Sequence, residues 1–158
     1  MTDVIEVIAG PPPVIEVVGG APPVVEVIGG GGASAHLGTL GFVIDGGSVG
    51  VTPGIKGFFE VGTTCVITAV TVLSTDPAVT LGSCVIDLWK APYANYPPTA
   101  ADSITASARP TLTNAVKSRD TTLTGWTTTI AAGDVLACVV LSANWLQRVA
   151  VTLTVRLA

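Results

Sequence analysis

At 158 residues the chain has room for one ordinary domain and an appendage. Hydrophobic residues make up 49% of it and charged residues only 11%; Gly, Pro, Thr or a charge interrupts every apolar run before the roughly 18 residues of a bilayer span, which excludes a membrane helix. The net charge of −4 lies wholly before residue 35, where Asp3, Glu6, Glu16 and Glu26 meet no Lys or Arg, and the seven acids beyond are balanced by seven bases, so no basic patch is offered to nucleic acid.

The chain opens with three near-copies of one phrase: Val4-Ile5-Glu6-Val7-Ile8, Val14-Ile15-Glu16-Val17-Val18 and Val24-Val25-Glu26-Val27-Ile28. Val- and Ile-rich pentads prefer extended backbone, and Gly/Pro spacers prevent one continuous strand. So short a strand cannot hold itself, and its backbone groups need partners. Two solutions follow: addition to the exposed edge of another protein, or pairing of the pentads between copies of this chain. Ten extended residues span at most roughly 33 Å, enough to step between neighbouring subunits, and three weak contacts on one tether raise avidity. The Glu kept in register either marks a basic contact or discourages stray edge pairing. Residues 1–34 thus read as an anchoring arm ending in a Gly-rich hinge, and all fifteen pentad residues as its docking positions. The start, Met1-Thr2-Asp3, lacks the basic region of a secretory signal, which predicts synthesis and assembly in the cytoplasm.

Residues 35–158 read as an all-β domain. Strands are predicted at 40–44, 57–61, 65–73, 84–90, 121–124, 135–142 and 148–157, with turns at Asp45-Gly46-Gly47, Thr52-Pro53-Gly54, Asp76-Pro77 and Ala132-Gly133-Asp134. The last strand alternates Val149, Val151, Leu153 and Val155 with Thr152, Thr154 and Arg156, as a half-buried antiparallel strand does. Seven or eight such strands predict an antiparallel β-sandwich, jelly-roll-like, preceded by the extended arm. Cys65, Cys84 and Cys138 are odd in number, lack metal-type spacing and sit in apolar runs. They read as buried free thiols, with a Cys65–Cys84 bridge as the alternative.

Five stretches, 41–47 (GFVIDGG), 53–61 (PGIKGFFEV), 85–99 (VIDLWKAPYANYPPT), 102–105 (DSIT) and 123–136 (LTGWTTTIAAGDVL), resemble a domain found at the C-termini of bacteriophage tail and head fibre proteins. The resemblance covers residues 40 to 158. It implies a β-sandwich knob on a virion fibre, a homotrimer displayed outward from the particle, and Val-rich leaders like this arm resemble the attachment ends of such fibres. The chain departs from long fibres in having no coiled-coil or collagen-type shaft, so its reach is short.

Little in the sequence offers chemistry. The single histidine, His36, lies at the hinge and reads as solvated. Asp45 with Glu60 is one acid pair among many that dispersed carboxylates allow. The Gly-rich stretches lack the Lys-Ser/Thr of a phosphate loop. No catalytic residue, metal site or cofactor is predicted, and the chain is not read as an enzyme. The candidate ligand platform is Trp89, Tyr93, Asn95 and Tyr96, since aromatic faces stack on sugar rings, amides bond hydroxyls, and a proline-stiffened loop loses little entropy on binding. Packing is the competing reading: Trp89 continues a strand into the core, and the tyrosines fill the loop base or a subunit interface. Trp126 and Trp145 read as core or interface residues, and Arg109, Lys117 and Arg119 as a local basic loop.

The expectation is therefore a phage virion structural protein, a short fibre or decoration knob on the virion surface, homotrimeric and joined to capsid or tail proteins by its arm. The alternatives are a carbohydrate-binding module recognising host surface glycans, and a filament or tube subunit polymerising through its repeats.

Overall fold

The computed structural model describes residues 6–8, 14–18, 24–28, 36–74 and 82–158. The chain divides into two compact units, Met1–Ser34 and Ala35–Ala158. Val4, Ile5, the Gly-rich segment 29–35 and the Asp76-Pro77 turn lie outside the described residues.

In the first unit β1 (Glu6–Ile8), β2 (Val14–Val18) and β3 (Val24–Ile28) form one antiparallel sheet in that order. The sequence reading looks for strand partners on another protein or another copy; the structure supplies nearer ones. A pentad's closest pairing partner is the next pentad, and closing so short a loop costs little entropy. Register places Glu6 opposite Glu16 and Glu16 opposite Glu26. Strands β1 and β3 are the edges.

The second unit contains β4 (Leu37–Asp45), β5 (Gly54–Glu60), β6 (Cys65–Ser74), β7 (Ser83–Pro92), β8 (Thr111–Leu112), β9 (Lys117–Asp120), β10 (Thr129–Ile130), β11 (Asp134–Asn144) and β12 (Arg148–Leu157). Pairing runs inward from the chain's ends: β4 with β12, β5 with β11, β6 with β9 and β10, β7 with β8. Rolled up, that ribbon gives one sheet ordered β10-β6-β12-β4, with β9 also on β6, and a second ordered β5-β11-β7-β8. This is the antiparallel jelly-roll sandwich. Period-two patterning drives the closure. Val149, Val151, Leu153 and Val155 of β12 and Val70 and Val72 of β6 bury against Ile86 and Leu88 of β7 and Leu136, Cys138 and Val140 of β11.

The strand directions give the sandwich two distinct ends. The chain enters at Leu37 beside the last strand's end, where Leu37 faces Arg156 and Leu157 N–H donates to the His36 carbonyl at 2.8 Å. Loop 61–64 and turn 131–133 share that proximal end, and segment 93–110 starts there and returns beside β7 until Thr111 pairs with Val85. Loops 46–53 and 145–147 lie at the distal end, roughly 33 Å away along the ten residues of β12.

One predicted strand is displaced. Residues 121–124 form bends and a turn, and the strand is β9, Lys117–Asp120. The Asp120 carboxylate accepts the N–H groups of Thr122 at 2.7 Å and Leu123 at 3.3 Å, an Asx turn that ends the strand where Thr-rich composition favours continuing it. Lys117 and Arg119 accordingly sit on a strand rather than in a basic loop. Strand β4 begins at Leu37, earlier than predicted, because its glycines pair in the ladder instead of breaking it.

Candidate functional site

Segment 93–110 runs beside the edge of β7 that β8 continues, with a β-bridge between Trp89 and Ser103, and a buried carboxylate on the outer face holds it there. On β7 the core side takes Cys84, Ile86 and Leu88, which turns Asp87 and Trp89 outward. Asp87 is only 3% exposed. Its Oδ1 accepts the hydroxyls of Thr105 at 2.6 Å and Ser103 at 2.7 Å and the Leu88 N–H at 2.9 Å, and its Oδ2 faces Arg109 Nε at 3.4 Å. Burial pushes the Asp87 carboxyl up, but Thr105, Ser103, the nearby Trp89 indole and Arg109 more than offset this, and it sits below the ordinary carboxylate range. Backbone bonds from Ile104 N–H to Leu88 O and from Thr127 N–H to Ile104 O, both 2.9 Å, complete the attachment. A second carboxylate, Asp102, accepts the backbone N–H and hydroxyl of Thr99 at 2.8 Å, closing a single 3₁₀ turn. The backbone bond, with the hydroxyl adding to it, keeps Asp102 below the usual range.

The segment so fixed raises an aromatic cleft at the proximal flank. Pro92 leads into a 3₁₀ turn, Tyr93–Asn95, and Tyr93 N–H donates to the Gly133 carbonyl at 3.1 Å. Tyr93 and Tyr96 are 68% and 54% exposed. Tyr96 meets Phe58 edge-on with ring centroids 5.2 Å apart. These residues, with Phe59, Glu60 and Val135, line a cleft of about 270 Å³.

Of the predicted platform, the structure brings Tyr93 and Tyr96 together and leaves the other two apart. Asn95 is exposed but does not line the cleft. Trp89 neither joins the core nor reaches the cleft: it is half-buried on the outer face, opposite Ala137, with its indole N–H buried and outside hydrogen-bonding geometry. The strand's alternation explains this, since residues either side of Leu88 share the face opposite to it. Sequence reasoning missed Phe58 and Glu60, although adjacent Phe58 and Phe59 on a strand must point to opposite sides. It also missed Asp87, whose signal is a charge inside an apolar strand.

Other predicted positions divide. Trp126 is buried and donates its indole N–H to the Ala108 carbonyl at 2.8 Å. Trp145, read as core or interface, stands 72% exposed at the distal end. Asp45 and Glu60 lie at opposite ends of the sandwich on different sheets; Asp45 is paired instead with Arg148. The Arg148 hydrogen bond, then that of Gly47 N–H, keeps Asp45 below the ordinary range. All three cysteines are buried and free. Burial raises Cys65 and Cys84, and burial with the neighbouring Cys84 pushes Cys138 up to about 12, so these thiols stay protonated. Among the described residues no cluster of His, Cys, Asp and Glu is arranged to hold a metal, and no helix is long and apolar enough to cross a membrane. The pentad positions from Glu6 onward all lie in the three-stranded sheet of the first unit. No protein-family model matches the chain, and no curated protein is significantly similar to it.

Proposed function

We propose that the chain is a non-enzymatic virion structural protein of a bacteriophage: a short fibre or decoration knob, joined to capsid or tail proteins by residues 1–34 and displaying its jelly roll outward. The observation that carries this is the polarity of the second unit. The chain enters at the proximal end, so a tether there leaves the distal loops free. The resemblance of residues 40–158 to fibre knobs supports the same reading. Exposed apolar side chains on the second sheet, among them Ile55, Phe58 and Leu141, offer surface for association into a trimer.

Deleting residues 1–34 tests the anchoring. The truncated protein is expected to fold and to be missing from purified virions, and undiminished incorporation would sink the idea. Light scattering behind size exclusion tests the oligomer: equal trimers from the full chain and from residues 35–158 place the interface in the β domain. Polymerisation through the repeats is the second reading, favoured by the edge strands β1 and β3, whose unpaired sides would template further pairing. It predicts a monomeric truncated domain and large full-length assemblies. Glycan recognition by the proximal cleft is the third, favoured by the exposure of Tyr93 and Tyr96 beside Phe58. It predicts saccharide binding that Tyr96→Ala abolishes.

A further inference from the structure

We propose that the cleft at the distal tip, between residues 48–51 and 143–147, binds a neutral saccharide, with Trp145 as its stacking platform. Two loops build it. Gly46 N–H donates to the Gln147 carbonyl and Val51 N–H to the Leu146 carbonyl, each at 2.7 Å, clamping loop 46–53 against the β11–β12 turn. A side chain at Gly46 would put its Cβ 1.9 Å from the Gly50 carbonyl carbon, so only glycine lets the two strands of that loop pass. Leu146 drops into the core at 2% exposure, and Trp145, one residue earlier, turns out into solvent. The space between the loops is about 410 Å³, within the roughly 300–1,000 Å³ of small-ligand sites.

Two independent features point to a ligand. Trp145 holds a left-handed backbone, φ 57°, which is a genuine outlier for a bulky side chain. The other non-glycine residues with positive φ have evident reasons for tolerating it: Asn114 favours this region, Leu123 is buried, and Ala106 is small. Trp145 has neither burial nor a favourable side chain. Strain of this kind, without packing to offset it, is found where a group is held for a task.

The second feature is the lining. Beside the Trp145 ring stand exposed Asn144, Gln147 and Ser48, with Val49, 84% exposed, on the facing lip. Among the described residues none that lines the cleft is ionisable. The nearby Asp45 and Arg148 neutralise each other, Arg148 Nε lying 3.1 Å from Asp45 Oδ2. Among the described residues a phosphate, carboxylate or cationic peptide would find no opposite charge here, and a purely apolar molecule would leave amides and a hydroxyl without partners. A pyranose ring suits both halves: its C–H face lies on the indole and its hydroxyls reach the amides and Ser48. Binding in solution does not depend on the anchoring proposed above; only presentation of the tip toward a host surface rests on it.

The full-length protein, screened on an array of neutral oligosaccharides ending in glucose, galactose, mannose or N-acetylglucosamine, is expected to bind a subset. The subset's ligand should shield Trp145 from acrylamide quenching. Trp145→Ala should weaken binding by about tenfold or more with the melting temperature unchanged, Trp145→Tyr should recover part of it, and Tyr96→Ala should have no effect. Absence of binding to every neutral glycan overturns the proposal. So does binding that survives Trp145→Ala, or that is lost in Tyr96→Ala alone, which would move recognition to the proximal cleft.

Discussion

The two clefts of the jelly roll are held open by different physics. At the proximal flank an eighteen-residue segment, 93–110, is tied down by a buried charge: Asp87 gathers two hydroxyls, a backbone N–H and a guanidinium, and Tyr93 and Tyr96 ride on what it fixes. Among the described residues of the distal tip no buried charge takes part. Loops 46–53 and 145–147 are short, and close backbone approach at Gly46 with two 2.7 Å hydrogen bonds fixes them. A long segment needs a specific hub because its own conformational entropy is large; short loops between strand ends are positioned by the strands themselves. The flank should therefore respond to pH and to loss of one carboxylate, and the tip only to changes of backbone volume.

The largest expected effect is at Asp87. Asp87→Ala strands two hydroxyls and the Arg109 charge and should cost about 2–4 kcal/mol, read as a shifted urea midpoint at neutral pH. Amide exchange should speed up through residues 99–109 and stay unchanged in loop 46–53. Equal loss of protection at both ends would show that the clefts are not independent. The pH dependence follows from the same carboxylate. Its folded value is depressed, so its contribution is complete above the ordinary aspartate value of about 4 and is lost as pH falls through the lower folded value. Wild-type stability should fall steeply below about pH 4 and Asp87→Ala should fall less; parallel curves would remove Asp87 as the cause.

The tip responds to volume. In Gly46→Ala the added methyl meets backbone rather than a side-chain end, so loop 46–53 must move. The expected loss is about 1–3 kcal/mol, as for other overpacked sites. Gly82→Ala is the companion: its Cβ would lie 2.1 Å from a Leu146 methyl and 2.9 Å from the Trp145 carbonyl oxygen, so the same turn is pressed from the other side. Both variants should broaden or shift the NMR signals of residues 143–147 and spare those of Tyr93 and Tyr96.

How much of this was legible in sequence depends on the range of the cause. Strand β12 was readable to the residue, because Val149, Val151, Leu153 and Val155 alternate without interruption. The all-β sandwich followed from turn spacing and from Thr- and Val-rich runs. Strand β9 was misplaced because its end is set by one side chain, Asp120, capping two backbone N–H groups, which competes with propensity and carries no periodicity. The core reading fails for Trp89 and Trp145 for a common reason. Aromatic residues in apolar runs look like core, but alternation about Leu88 turns Trp89 to the outer face, and the left-handed turn ahead of Leu146 turns Trp145 outward. The cleft partners Phe58 and Glu60 come from a strand that precedes Tyr93 by more than thirty residues, and only the β5–β11–β7 sheet order unites them. Pairing of the pentads within the chain depends on choosing among equivalent edges, which composition does not rank.

Smaller effects sharpen the contrast at the tip. Trp145→Gly relieves a left-handed backbone at an exposed site, and that gain outweighs glycine's extra unfolded-state entropy, so the variant should be more stable by about 0.5–1 kcal/mol. A destabilised Trp145→Gly would mean that the ring packs on the tip after all. Arg148→Ala should do least. Its pair with Asp45 is exposed and screened, so the melting temperature should hardly move. The Asp45 carboxyl, kept low first by Arg148 and then by Gly47 N–H, should move up toward the ordinary value in a carboxyl-detected NMR titration while keeping the Gly47 share. That residual depression is the informative quantity. The 2.8 Å bond from Gly47 N–H to Asp45 Oδ1 belongs to the turn that starts loop 46–53, so its survival would show the tip built by backbone geometry alone. Complete return of Asp45 to the ordinary value would mean that the ion pair orients the turn, and the distal cleft would then share with the flank a dependence on charge.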